Sequence, residues 1–156
     1  MNTVTAKQLA LELMDQYGLL YLGWSFEFDT AKRRFGCCNY THKVISLSAP
    51  LTTANEEAQV KDTILHEIAH ALVGYGHGHD SVWKSMCVAI GAKPERCYTQ
   101  EDTTVIAGKY RAVCGGCGQV HNRHKRPPRG RRYACLCQNH ISDWSKKKIL
   151  EYKVAR

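Results

Sequence analysis

Two histidines and a glutamate interrupt the apolar residues of the run ILHEIAHALV at 64–73. His66 and His70 lie four residues apart and therefore point in nearly the same direction on a helix. A chance pairing on a surface helix would leave a wide polar face, which this run lacks. Burying two imidazoles and a carboxylate without partners is costly, whereas one metal ion satisfies all three. The spacing therefore predicts a zinc site.

Glu67 directly follows the first histidine and can reach the open side of such an ion without occupying it. Catalytic zinc sites take three protein ligands and leave the fourth position to water. A carboxylate there removes a proton from the zinc-bound water and passes it to a leaving amine. We therefore predict that Glu67 is the general base of a peptide-bond hydrolase.

The third ligand must come from beyond the helix, and two known patterns offer different candidates. An extended metzincin pattern requires glycine and histidine at the positions that hold Val73 and Gly76, so that pattern fails. A gluzincin would take a glutamate from a later helix, for which Glu95 and Glu101 are available. A histidine from the glycine turn that follows the helix is the favoured donor.

His77 and His79 both stand in that turn. His79 immediately precedes Asp80, a predicted N-cap, and lies four residues before Trp83, which can anchor the following helix. His77 lies between two glycines and would be poorly held. We predict His79 as the third ligand, with His77 as the alternative.

The sequence before residue 92 has the apolar periodicity of three helices and a small sheet. Thr5-Ala-Lys-Gln8 and Thr53-Ala-Asn-Glu56 resemble capping boxes. The first opens a helix from about Ala6 to Tyr17, and the second opens a helix that continues to about Val73. The segments WSFEFD, RFGCCNY and KVISLS predict a small antiparallel sheet, with Pro50 as a break after it. A third helix is expected to follow Asp80 and to end at Gly91.

The second half carries a different signature, the pair Cys114-Gly-Gly-Cys117 and Cys135-Leu-Cys137. Four thiolates at these separations predict a structural zinc ribbon, with His140 as the alternative to Cys137. A redox pair would need a strand–helix context that is missing here. The other four cysteines are predicted to pack as small hydrophobic side chains: Cys37, Cys38, Cys87 and Cys97.

Positive charge is concentrated in the same half. The net charge is +8, and no Asp or Glu occurs between Asp102 and Asp143. Such a block attracts polyanions, and Tyr110 or Tyr133 could stack on a base, so DNA is the predicted partner. A solvated or disordered loop, RNA, an acidic protein or a membrane surface are the alternatives. The predicted nucleic-acid ligands are Arg123, Lys125, Arg126, Arg129, Arg131 and Arg132.

The remaining expectations concern class and location. A chain of 156 residues fits one domain, or one domain with a small appendage. The first residues have neither a signal peptide's apolar segment nor a membrane span, so we expect a cytoplasmic, DNA-associated monomer that does not bind membranes. Eight cysteines in a reducing compartment are better read as metal ligands and free thiols than as disulfides.

The segments from Trp24 through KVISLS, then DTILHEIAHALVG and GHDSVWK, resemble the SprT-like family of zinc metalloproteases, which includes the Spartan proteases. The family places its third histidine four residues before an aromatic, as His79 and Trp83 are here. The residue after that histidine is often glycine in the family and is Asp80 in this chain.

By this resemblance, His66, His70 and His79 would bind catalytic zinc and Glu67 would be the base. The resemblance implies an α+β fold: a zincin-like domain of helices on a small antiparallel sheet over 1–108, and a zinc-ribbon, nucleic-acid-binding module over 109–156. It also implies cleavage of proteins bound or crosslinked to DNA. The alternative function is a non-proteolytic nucleic-acid-binding adaptor.

Overall fold

The computed structural model describes residues 1–95, 104 and 106–155, and the chain forms two compact units. We call Met1–Ile106 the N-terminal unit and Ala107–Arg156 the C-terminal unit. The N-terminal unit contains the helices α1 (Thr3–Gln16), α2 (Ala49–Ala54), α3 (Glu57–Val73) and α4 (Ser81–Ile90). Its strands are β1 (Ser25–Asp29), β2 (Gly36–Asn39) and β3 (Val44–Ser48). The fold is therefore a mixture of helices and small sheets.

The sheet of the N-terminal unit has the order β1-β3-β2 and is mixed rather than antiparallel. Strand β2 pairs antiparallel with β3, whereas β1 pairs parallel with β3 from Ser25 opposite Val44 to Asp29 opposite Ser48. The prediction of a wholly antiparallel sheet was wrong. Alternating apolar residues indicate which face of a strand is buried, but they do not indicate which neighbour the strand pairs with.

Both predicted capping boxes were also wrong. The first helix begins at Thr3, and Asn2 caps it by accepting a hydrogen bond from the Thr5 backbone N–H at 2.8 Å. Thr53 lies inside α2, where its hydroxyl donates to the Ala49 carbonyl. Pro50 occupies the first turn of α2, a position where its missing N–H removes no helical hydrogen bond, so it starts a helix instead of ending a strand.

The predicted ends of the two later helices are confirmed. Helix α3 ends at Val73, and Gly74 follows with φ 83°. Asp80 caps α4 by accepting a hydrogen bond from the Trp83 backbone N–H, and Gly91 ends that helix in the left-handed region with φ 78°. These ends fix the loop that joins α3 to α4.

Helix α3 lies at the centre of the N-terminal unit, packed against α1, α4 and strand β2. This placement leaves His66 and His70 partly buried and Glu67 buried. The largest fully buried apolar side chains around α3 are Trp83, Met14, Leu19, Ile45, Leu47, Ile64, Ile68 and Val60.

The C-terminal unit is built differently. Three short strands, β4 (Tyr110–Val113), β5 (Val120–Arg123) and β6 (Lys153–Val154), form an antiparallel sheet in the order β5-β4-β6. Its buried apolar cluster contains only Ala112, Cys114, Cys135 and Leu150 among the residues described. Across both units, the described residues include no helix with the length and apolar character needed to span a membrane.

Candidate metal centre and basic surface

Three imidazoles meet between α3 and the loop before α4. His66 and His70 come from adjacent turns of α3, and His79 immediately precedes the Asp80 cap of α4. The Nε2 atom of His79 lies 3.2 Å from Nε2 of His66 and 3.3 Å from Nε2 of His70. The loop therefore folds back so that its histidine converges with the two on the helix.

This group fits a zinc ion. Tetrahedral zinc with nitrogen ligands at about 2.0 Å holds those nitrogens about 3.3 Å apart, which is the spacing found here. Burial and the neighbouring imidazoles lower the pKa of His66 to about 3, and burial together with His79 lowers the pKa of His70 to about 4. Both rings are therefore neutral at physiological pH, which is the form that binds metal.

Trp83 holds the three rings in place from α4. Its side chain is fully buried, and its ring centroid lies 4.7 Å from that of His66, 5.1 Å from that of His70 and 4.5 Å from that of His79. The ring of His70 also hydrogen-bonds to the backbone of His77. Such outer contacts fix ring orientation at metal sites.

The side chain of His77 is not a member of this group. Its Nδ1 lies 2.8 Å from a carboxylate oxygen of Asp80, so it pairs with the cap of α4. Glu95 is exposed and does not belong to the histidine group. Glu101, the other glutamate considered from the sequence, lies outside the described residues.

Glu67 lies on the side of α3 that faces strand β2 and is only 7% exposed. Its carboxylate is so close to Gly36 that a Cβ on that glycine would lie 2.5 Å from Oε1. Burial raises the pKa of Glu67 to about 8, while the charge of Arg34 and the Cys38 backbone N–H act in the opposite direction. A buried carboxylate with a raised pKa beside a metal-binding group is the arrangement that general-base chemistry uses.

The C-terminal unit brings four cysteines together. Sγ of Cys114 lies 3.6 Å from Sγ of Cys137, and Sγ of Cys117 lies 3.7 Å from Sγ of Cys135. Tetrahedral zinc with sulfur ligands at about 2.3 Å separates them by about 3.8 Å, so the group fits a zinc ion. His140 is exposed and is not a member of the group.

Backbone and side-chain donors surround Cys114 in particular. The Gly116 N–H donates to its sulfur at 3.3 Å, and the Gln138 side-chain amide lies 3.7 Å from it. The backbone amides of Cys117 and Gly116 lower the pKa of Cys114 to about 6. The thiolate, which is the metal-binding form, is thereby favoured.

The predicted basic residues divide into three groups. Arg123 lies on β5 with its guanidinium 4.5 Å from the ring centroid of Tyr133, and Arg132 stacks on Trp144 at 5.9 Å. Lys125 is exposed. The rest line a cavity of about 480 Å³ together with tyrosines; its polar and aromatic lining is Tyr110, Arg126, Arg129, Arg131, Tyr133 and Tyr152.

The four cysteines that were expected to pack as hydrophobic side chains are not equivalent. Cys87 is fully buried in the N-terminal core, and Cys38 packs against the same core from strand β2. Cys37 is partly exposed on the opposite face of that strand. Cys97 lies outside the described residues.

Sequence reasoning missed two residues that shape these groups. Gly36 gives Glu67 room against β2, and a glycine inside a strand pattern was a usable signal of close approach. Gln138 is 5% exposed and bonds both the N–H and the carbonyl of Lys148, but nothing in the sequence distinguishes it from a surface glutamine.

Comparison with known proteins agrees with the resemblance stated above. The family model described as the SprT-like family matches residues 7–104, a segment that holds all three grouped histidines and Glu67. No curated protein matches the chain. Because the matched segment covers more than half of the sequence, the chain belongs to the SprT-like family.

Proposed function

We propose that this protein is a zinc-dependent metalloendopeptidase that acts on DNA-bound or DNA-crosslinked proteins. The observation that carries the proposal is the convergence of three imidazoles, two of them on the helix that also carries the buried carboxylate of Glu67. Membership of the SprT-like family supports the same activity. The ligands of the catalytic ion would be His66, His70 and His79.

The chemistry follows from the positions of these side chains. A bound zinc ion supplies a Lewis acid that polarises a carbonyl oxygen and lowers the pKa of water. Glu67 takes a proton from the attacking water and delivers it to the leaving amine. Gly36 keeps the wall beside that carboxylate free of a side chain, and Trp83 holds the imidazoles in the orientation that the site requires.

The domain assignment is part of this proposal. We assign 1–108 to a SprT-like, zincin-like protease domain and 109–156 to a zinc ribbon. In the ribbon, Cys114, Cys117, Cys135 and Cys137 would hold a second, structural ion. That ion would fix the frame of a module whose own apolar cluster is small.

Association with DNA is supported by the chemistry of the arginine–tyrosine cavity. Guanidinium groups pair with phosphates, and tyrosine rings stack on bases irrespective of sequence. The cavity offers both, since Arg126, Arg129 and Arg131 line it together with tyrosines. Lys125 and Arg132 lie on the same basic segment, and Arg123 packs on Tyr133. We therefore assign all six residues to DNA binding.

The test is cleavage of a DNA-binding protein by zinc-loaded enzyme, with and without DNA, comparing the native chain with Glu67→Gln. Glutamine keeps the size of the side chain but cannot accept the proton, so cleavage should fall by at least about a hundredfold. Zinc content and circular dichroism of the variant should match those of the native chain.

Equal cleavage by the two proteins would remove Glu67 from catalysis. No cleavage by either protein, with DNA binding intact, would favour the non-proteolytic adaptor instead. A salt titration of binding to DNA, RNA and an acidic protein identifies the partner, because affinity for a phosphate backbone falls steeply with salt.

A further inference from the structure

The arginine–tyrosine cavity of the C-terminal unit has the size of a small-molecule site. Its volume is about 480 Å³. Cavities of roughly 300–1,000 Å³ hold single small ligands, whereas proteins that follow a nucleic-acid strand along its length use an extended basic groove. The volume therefore favours one nucleotide at the end of a strand over a strand that passes through.

Three arginines bring positive charge to this cavity from one short loop. Arg126, Arg129 and Arg131 all belong to its lining, which includes no Asp or Glu among the described residues. The Arg131 N–H donates to the Pro128 carbonyl at 3.4 Å, and Gly130 has a φ of 76°, so a turn shapes the loop. Within the described part of the chain, none of the three pairs with a carboxylate. Their charges are therefore available to an anionic ligand.

This amount of charge matches a terminal phosphate better than an internal one. An internal phosphodiester contributes a single negative charge to the strand. A phosphomonoester carries roughly −1.5 to −2 at pH 7 and presents three acceptor oxygens. Each guanidinium can donate two parallel hydrogen bonds to phosphate oxygens. Three guanidinium groups around one cavity therefore fit the phosphorylated end of a strand.

Tyrosine rings in the same lining can hold the terminal base. Tyr133 and Tyr152 meet edge-to-face at 6.0 Å and pack against the small core of the unit. The Arg123 guanidinium lies 4.5 Å from the ring centroid of Tyr133 and 5.6 Å from that of Tyr152. Because these contacts already order both rings, stacking on a base costs little further side-chain freedom.

We propose that this cavity binds the phosphorylated end of a DNA strand, with the terminal phosphate on the three arginines and the terminal base on Tyr133 and Tyr152. This inference rests on the proposed association with DNA and deepens it by naming the part of the nucleic acid that is recognised. Internal phosphates would meet exposed cations such as Lys125, which adds affinity that does not depend on the end. The protein would therefore be concentrated at strand ends and not along intact duplex.

The first experiment measures binding of single-stranded DNA dodecamers to the full-length, zinc-loaded protein. The probes share one sequence and an internal fluorophore, and they carry a 5′-phosphate, a 3′-phosphate or no terminal phosphate. One phosphorylated probe should bind about tenfold more tightly than the unphosphorylated one, because it adds charge-assisted hydrogen bonds. This preference should weaken below about pH 6, where the terminal phosphate takes up a proton.

Two double variants separate the cavity from the general charge of the unit. Arg129→Gln with Arg131→Gln removes two charges from the lining, and Arg111→Gln with Lys153→Gln removes two exposed charges that lie opposite each other on β4 and β6, outside the lining. Loss of any phosphate contact weakens all probes similarly. The informative value is therefore the ratio of affinities for phosphorylated and unphosphorylated probes. That ratio should fall to about one in the first variant and stay native in the second, with native zinc content and amide spectra in both.

Competition with small ligands tests the part played by the base. A deoxynucleoside monophosphate should displace the phosphorylated probe and shift the ring signals of Tyr133 and Tyr152, whereas inorganic phosphate should compete far less. Equal displacement by inorganic phosphate would contradict the role of the tyrosines. A monophosphate that binds as tightly as the strand end would assign the cavity to free nucleotides and overturn the proposal.

The outcomes also separate this inference from the proposed function. Equal affinities for the three probes, or an equal fall of the ratio in the two double variants, would overturn recognition of the strand end and leave association with DNA standing. Absence of binding to all three probes would contradict the association with DNA itself.

Discussion

The two metal-binding groups differ in what surrounds them. In the N-terminal unit, the histidines belong to a unit with an apolar core of fully buried residues such as Trp83, Met14 and Ile64. In the C-terminal unit, two of the four buried apolar residues are themselves members of the cysteine group, Cys114 and Cys135. The histidine group is thus added to an existing apolar core, whereas the cysteine group forms a large part of the core of its own unit.

The order of events should differ accordingly. Burial of large apolar side chains lets the N-terminal unit fold before any ion binds, so its site is prepared in advance. The short strands of the C-terminal unit cannot bury enough surface to offset chain entropy. Its folding should therefore be coupled to metal binding, as in other small metal-dependent modules.

The two units should respond differently to the loss of one side chain from their cysteine or histidine group. Replacing Cys135, which is 1% exposed, by serine removes one proposed ligand and should unfold the C-terminal unit. His66→Ala removes one proposed ligand from the N-terminal site and should abolish zinc binding there with the fold retained. Amide NMR spectra and the zinc content of the two variants provide the measurement.

In each variant, the signals of the unaltered unit provide the internal control. The expected pattern is loss of dispersed signals from residues 107–155 in Cys135→Ser and their retention in His66→Ala. A C-terminal unit that stays folded in Cys135→Ser, or an N-terminal unit that unfolds in His66→Ala, would contradict the distinction between the two groups.

The next effect concerns Trp83, which serves both the core and the site of the N-terminal unit. Trp83→Ala should lower the free energy of unfolding by about 3–5 kcal/mol, since it leaves a large cavity. It should also weaken zinc binding, because all three imidazoles contact this ring. Denaturant unfolding measures the change in the free energy of unfolding, and zinc titration measures the change in zinc affinity.

Cys87→Ala is the matched control, since Cys87 is also fully buried on α4 and belongs to the core. It should cost less stability and leave zinc affinity unchanged. If Trp83→Ala lost stability but kept native zinc affinity, the ring would be a core residue without a role in holding the histidines.

The sequence predicts the metal-binding groups better than it predicts the sheet. Spacing along one helix determines that His66 and His70 share a face, and a tight glycine turn brings His79 within reach. These are local relations. Strand β1 pairs with β3 because β2 lies at the far edge of the sheet and not between them. No short-range pattern in the sequence encodes that strand order.

The capping residues show the same limit at shorter range. Thr5 and Thr53 satisfy the capping-box pattern, yet Asn2 caps α1, and α3, the helix that Thr53 was predicted to open, follows Glu56 without a side-chain cap. Several hydroxyl or amide side chains near a helix start can each accept the terminal N–H groups. The Met1 amino group also donates to the Asn55 carbonyl, a contact between distant chain positions that no short-range pattern encodes.

The stability of the N-terminal unit should hardly depend on any single polar contact, and the contacts of Asp29 allow a test. Asp29 accepts hydrogen bonds from the Ala31 N–H, the Ser46 hydroxyl and Arg34. Burial acts to raise the pKa of Asp29, but these three partners outweigh it and the pKa is lowered. The ion pair is mostly exposed on the arginine side, so Asp29→Asn should cost about 1 kcal/mol or less.

The contribution of Asp29 to stability should depend on pH. A carboxyl whose pKa is lower in the folded state contributes stability above its unfolded pKa and loses that contribution as the pH falls through the folded value. The stability difference between the native chain and Asp29→Asn should therefore be constant near neutral pH and shrink below about pH 4. Denaturant unfolding at a series of pH values measures it. A difference of several kcal/mol would mean that one charged turn, and not the core around α3, holds the N-terminal unit together.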